Sequence, residues 1–155
     1  MVMTKMQKAK IKMQFNETIV SFHTSFFTKV KNSANDKSKF KEDFNKRLVK
    51  FSLEILQFSD KLRKDRLFWP IVDQLIRSAT SIGANVIEAK SSSSKKDYIK
   101  FFEIALKSAN ETKYWLILIR ESHKELKDKV NNLLLEVNQI SKVIASSILT
   151  LKGKK

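Results

Sequence analysis

Cysteine is absent from this 155-residue chain, and glycine (2), proline (1) and histidine (2) are scarce. Two glycines cannot supply the positive-φ turns of a many-stranded sheet, a dinucleotide-binding turn or a phosphate-binding loop, which leaves a chain that is nearly all helix. Without cysteine there is no disulfide framework, no thiolate metal site and no cysteine nucleophile, and the expected compartment is the cytoplasm. His23 and His123 each stand alone, so no metal site is expected and each is read as a solvated or capping histidine. No apolar run approaches the ~20 residues that span a bilayer. The Phe15–Phe27 stretch is interrupted by Asn16, Glu17, Thr18, Ser21, His23 and Thr24, so no export signal is read.

Positive charge is what the chain has in excess. Lys and Arg number 31 against 16 Asp and Glu, a formal net charge of 31 − 16 = +15, while 42% of residues are hydrophobic. The chain can bury a core, yet solubility alone does not require such an imbalance. An acidic partner is implied, nucleic acid ahead of an anionic membrane or protein.

Hydrophobic spacing divides the chain. Residues 1–37 form a basic N-terminal extension ending in a polar stretch, in which Met6, Ala9, Met13, Val20, Phe27 and Val30 fall roughly on one helical face. From residue 38 to 152 the sequence predicts a four-helix bundle. Its first stripe is Phe40, Phe44, Leu48, Phe51, Ile55, Phe58 and Leu62, with an end expected near Arg66. Trp69-Pro70 marks a break and a new start. The second stripe is Val72, Leu75, Ile76, Ala79, Ile82, Val86 and Ala89. Four serines, Ser91 to Ser94, stop it, and Ser94 with Asp97 resembles a capping box. Tyr98, Phe101, Phe102, Ala105, Ala109, Thr112, Trp115, Leu116 and Ile119 make the third stripe. Leu126, Val130, Leu133, Val137, Ile140, Ile144, Ile148 and Leu151 make the fourth. Short loops force neighbouring helices antiparallel, giving an up-down-up-down bundle.

That topology gathers cations at both ends. Lys61, Arg63, Lys64 and Arg66 should lie beside Lys124, Lys127 and Lys129. Lys46, Arg47 and Lys50 should lie with Lys95, Lys96, Lys152, Lys154 and Lys155. Trp69, Tyr98, Tyr114 and Trp115 could stack on unpaired bases, but Tyr98 and Trp115 fall on the apolar stripe and are read as core, which leaves Tyr114 the freest. Arg77, Asn85, Glu88 and Glu111 are expected to form a structural polar network or a subunit contact, because a carboxylate beside an arginine stays ionised and donates protons poorly. Gly83, inside a helix, is read as a site of close helix approach.

The run Arg77-Ser78-Ala79-Thr80-Ser81-Ile82-Gly83-Ala84-Asn85-Val86-Ile87-Glu88, followed by Ser94-Lys95-Lys96-Asp97-Tyr98, resembles the bacterial four-helix-bundle family of intervening-sequence proteins of large-subunit ribosomal RNA. That family is related to the accessory variability proteins of diversity-generating retroelements. The likeness covers roughly Phe51 to Leu151. It implies a homopentamer with a nucleic-acid-associated role, no enzymatic activity and no cofactor, and it raises a reverse transcriptase as a partner. The third helix supports oligomerisation independently, since Tyr114 to Ile119 are apolar around its whole circumference and one bundle buries only part of that. The expectation is a non-catalytic accessory protein that binds RNA, or alternatively DNA. The competing reading is a scaffolding bundle that mediates self-association, and an enzyme using Glu88 and Glu111 is a remote third.

Overall fold

The structure is a computed structural model that describes residues 36, 38–63 and 66–153. The chain separates into two compact units, Met1–Asp43 and Phe44–Lys155. Apart from its last few residues, the expected extension 1–37 lies outside the described residues, with His23 and the Met6 to Val30 face; Lys64, Lys154 and Lys155 do so as well. The description below concerns the second unit.

Among the described residues all regular structure is helical. Helix α1 runs over 38–62 and enters this unit at Phe44. A 3-10 turn, Arg66–Phe68, leads into α2 (Trp69–Glu88), and a second one, Ala89–Ser91, leaves it. Helix α3 is Lys95–Ser122, and a third 3-10 turn, Lys124–Leu126, opens α4 (Lys127–Leu151). The bundle is all-α, as the four stripes predict.

Local chemistry sets these boundaries. Pro70 sits in the first turn of α2, where its missing N–H costs nothing. The Trp69 indole N–H donates to the Arg63 carbonyl at 2.8 Å, satisfying an acceptor left open where α1 ends. Ser94 is extended (φ −145°, ψ 158°), and its hydroxyl accepts from the Asp97 N–H at 3.1 Å, which caps α3 as the serine–aspartate spacing suggests. Gly153, at φ 69°, follows α4, in the position that favours a residue without a Cβ.

The core is one cluster drawn from all four helices. Leu48, Phe51, Ile55, Phe58 and Leu62 meet Val72, Leu75, Ala79 and Ile82, and beyond them the stripes of α3 and α4. Phe44, Ile76, Tyr98, Phe101, Trp115 and Leu126 pack half-buried at its edge. Phe68 is buried although no stripe included it.

The α2–α3 seam is built from small and hydroxylated side chains. The Thr112 hydroxyl lies 3.1 Å from that of Ser78, and Ser108 lies 3.1 Å from Ser81, one turn further along. Thr112 also donates to the Ser108 carbonyl at 2.8 Å, and Asn85 donates to the Ser81 carbonyl at 2.8 Å. Each buried hydroxyl in this ladder therefore has a partner, which removes the cost of burying it.

Gly83 faces α1, but the approach is looser than expected. A Cβ built there would meet Leu48 Cβ at 3.6 Å and Ser52 Oγ at 3.9 Å, both ordinary contacts. Gly83→Ala is therefore expected to raise stability by about 0.5–1 kcal/mol, the helix-propensity gain, with no loss of packing. Thermal denaturation followed by circular dichroism checks this. A lower melting temperature would show that the helices do require glycine.

Candidate functional site

Ring and charge contacts establish which ends adjoin. His123, in the turn after α3, packs edge-on against Phe68 before α2, with ring centroids 4.3 Å apart. His123 is thus partly covered and closes α3 as its capping residue, its backbone N–H donating to the Ile119 carbonyl at 2.9 Å. Among the described residues no group of three or more His, Cys, Asp or Glu could hold a metal ion. At the other end Lys152 Nζ reaches Glu103 at 2.6 Å, joining the close of α4 to the first turns of α3.

The predicted cations divide by how they are engaged. Lys61, Arg66, Lys95, Lys96, Lys124, Lys127 and Lys129 are exposed and form no ion pair among the described residues. Arg66 places its guanidinium 5.8 Å from the centroid of the Trp69 ring. Trp69, expected as a candidate stacking platform, is thereby committed to Arg66 on its face and to the Arg63 carbonyl at its N–H. Arg63 pairs with Asp73 at 2.8 Å, and Lys152 with Glu103, so both are partly neutralised. Acids also interleave at the first end, where Asp60, Glu121, Glu125 and Asp128 are all exposed.

Arg47 does not join the cations of the second end. Its guanidinium grips the Glu136 carboxylate through Nε at 2.6 Å and through Nη2 at 2.9 Å, and a further short hydrogen bond joins it to Gln139. The paired hydrogen bonds hold the Glu136 carboxyl below the usual carboxylate range and raise the Arg47 guanidinium. Because the folded carboxyl titrates lower than the unfolded one, its contribution is complete above about pH 4.3 and is lost as pH falls through the folded value. Both side chains are about a third exposed, so solvent screening limits this to about 1 kcal/mol. Glu136→Gln is expected to lower the melting temperature at pH 7 and to flatten its decline in acid. Equal acid sensitivity in the two proteins would overturn that assignment.

The expected network of Arg77, Asn85, Glu88 and Glu111 is not assembled within one chain. Arg77, Glu88 and Glu111 are exposed; Asn85 turns to Ser81, and Glu111 accepts from the Trp115 indole N–H at 3.5 Å. The reason is angular. Arg77 and Glu88 share a face, but the α2 stripe of Val72, Leu75, Ala79 and Ile82 is the side that turns inward. The side-chain hydrogen bonds that join α2 to α3 among the described residues are instead those of Ser78, Ser81, Ser108 and Thr112, small residues within or beside the stripes.

Exposed apolar surface is also distributed differently from the expectation. On α3, Leu116 and Ile119 are buried and Trp115 and Leu118 half-buried, which leaves Tyr114 and Ile117 outside. On α1, Val49, Leu53 and Leu56 follow one another at spacings of four and three, 51%, 52% and 42% exposed. Leu53 is next to Ser52, which borders Gly83 of α2, and Ile87 one turn beyond Gly83 is 45% exposed. The α1–α2 side thus carries a longer apolar strip than α3. Among the described residues no helix is long and apolar enough to cross a membrane.

Comparison with known proteins places this fold. No curated protein matches the chain. A crystal structure of a protein of unknown function from the S23 ribosomal protein family of Bacteroides thetaiotaomicron VPI-5482 is 31% identical, with a TM-score of 0.64, covering 68% of this chain and 97% of that one. Residues 41–146 match the family described as 23S rRNA-intervening sequence protein, which takes in the Arg77–Glu88 run and the Ser94–Tyr98 turn. The chain belongs to the 23S rRNA-intervening sequence protein family.

Proposed function

We propose that this protein is a non-catalytic accessory factor that binds RNA, or alternatively DNA, through phosphate neutralisation. The observation that carries this reading is the set of cations at both ends of the bundle that are exposed and form no ion pair among the described residues, within a chain of net charge +15. The family's name associates it with 23S rRNA. No base-reading motif accompanies the cations, so little sequence preference is expected. A cytoplasmic setting fits a chain without cysteine.

Binding of a labelled structured RNA, measured across a salt series, tests the reading. Counterion release requires affinity to fall steeply as salt rises. Failure to shift the RNA even at low salt would overturn it.

The apolar strip of Val49, Leu53 and Leu56 favours self-association as part of the same reading, because contiguous exposed apolar surface marks interfaces. Five subunits is the number implied by the sequence resemblance, which also makes a reverse transcriptase a candidate partner. A ring multiplies weak phosphate contacts into avidity. Light scattering after size exclusion should give an oligomeric mass that Leu53→Asp reduces to the monomer. A monomeric wild type at micromolar concentration would remove both the interface and the avidity.

A further inference from the structure

The outer line of α3 carries a feature that the cations at the bundle ends do not explain. Lys96, Lys100, Lys107 and Tyr114 are separated by four, seven and seven residues, so they recur on one side of the helix at rises of about 6, 10.5 and 10.5 Å. All four are exposed, Tyr114 at 59%. The three lysines form no ion pair among the described residues. Glu103 falls on the same line but is held by Lys152 at 2.6 Å, and that contact, reinforced by the charge of Lys107, keeps its carboxyl ionised and compensated. Glu111, at the edge of the line, accepts from the Trp115 indole.

Tyr114 is set up for more than solvation. Its ring stands against Trp115 in a T-shaped pair, with centroids 4.9 Å apart and planes at 71°. Trp115 is half-buried against the core, and its N–H is engaged by Glu111, so the indole props the tyrosine from one side. An exposed aromatic ring braced in this way, at the end of a row of lysines, combines the two elements that single-strand binding uses: cations that follow the backbone and an aromatic face for a base.

We infer that the outer face of α3 is a binding track for single-stranded nucleic acid, with Lys96, Lys100 and Lys107 neutralising phosphates and Tyr114 stacking on an unpaired base. This rests on the nucleic-acid reading above and narrows it to strands or loops whose bases are open, since a duplex has no base face free to meet Tyr114.

Fluorescence anisotropy with a 5′-labelled oligouridylate and with an RNA duplex of similar charge tests the inference. Tyr114→Ala should weaken oligouridylate binding about 5- to 150-fold and leave duplex binding unchanged, while Tyr114→Phe, which keeps the ring, should retain affinity. Replacing Lys100 and Lys107 by Gln should reduce the salt slope for oligouridylate by about 1.4, at about 0.7 per neutralised phosphate. Circular dichroism melts of the variants matching the wild type would show that the fold is intact. If Tyr114→Ala binds oligouridylate as the wild type does, or weakens both ligands alike, the track is overturned while the broader reading stands. A wild type that binds neither ligand overturns the broader reading, and the track with it.

Discussion

Phe51→Ala should destabilise the protein by about 3–5 kcal/mol, a large part of the roughly 5–15 kcal/mol that holds a domain together. Phe51 is 1% exposed and is among the largest fully buried side chains. It lies between Leu48 and Ile55 on the inner stripe of α1, within the cluster that joins all four helices. Removing the ring forfeits its transfer free energy and leaves a cavity that straight, tightly packed helices collapse into only partly. At about 2–4 °C per kcal/mol for a chain of this size, the melting temperature should fall by about 10 °C or more. Phe44→Ala, at a half-buried position on the same stripe, should cost distinctly less. Urea denaturation of the two variants decides the matter. Equal losses would mean that burial along α1 does not rise from Phe44 to Phe51.

The largest functional effect is expected from removing the end cations together. Replacing Lys61, Arg66, Lys95, Lys96, Lys124, Lys127 and Lys129 by Gln deletes the predicted charges that are exposed and form no ion pair among the described residues. Each phosphate that is no longer neutralised lowers the salt slope by about 0.7–0.9, so removal of several cations should weaken RNA binding by on the order of a hundredfold or more at low salt. The loss should be even across RNA sequences, because charge contacts position a strand without reading it. Arg47→Gln, Arg63→Gln and Lys152→Gln should matter far less to binding, since Glu136, Asp73 and Glu103 already offset those charges. Titrations at several salt concentrations separate the two sets. Equal effects from them would show that ion pairing within the chain does not select which cations bind.

The bundle was legible because helical period is a strong signal. Inner residues from Leu48 to Leu62, Val72 to Ala89, Ala105 to Ile119 and Val130 to Ile148 recur at threes and fours, and these are the residues found buried. Boundaries were legible where a residue has a single strong local role, as with Pro70 and Ser94. The polar residues were less so. Spacing correctly puts Arg77 and Glu88 on a common face, but it does not say what that face meets, and within one chain both residues lie exposed. Ser78 and Ser81 carried the opposite signal: small hydroxyls within or beside an apolar stripe, opposite Thr112 and Ser108 once α2 and α3 are antiparallel. Phe68 escaped notice because a three-residue turn has no periodicity to reveal burial. Pairing between distant charges, such as Arg47 with Glu136, depends on the height at which α1 and α4 pass each other, which no local pattern encodes.

The hydroxyl ladder between α2 and α3 has a mechanical consequence. Ser78 to Thr112 and Ser81 to Ser108 are two rungs one turn apart, and they fit only one vertical alignment. Sliding α2 by a single turn would bring Ser78 level with Ser108, but would set Thr112 opposite Leu75 and Ser81 opposite Ala105. Such a piston stroke exchanges matched rungs for hydroxyls facing aliphatic groups, at about 1–3 kcal/mol for each one left without its partner. The two helices therefore behave as a single strut. A load on one end of the pair is transmitted to the other as rotation or tilt of the whole strut.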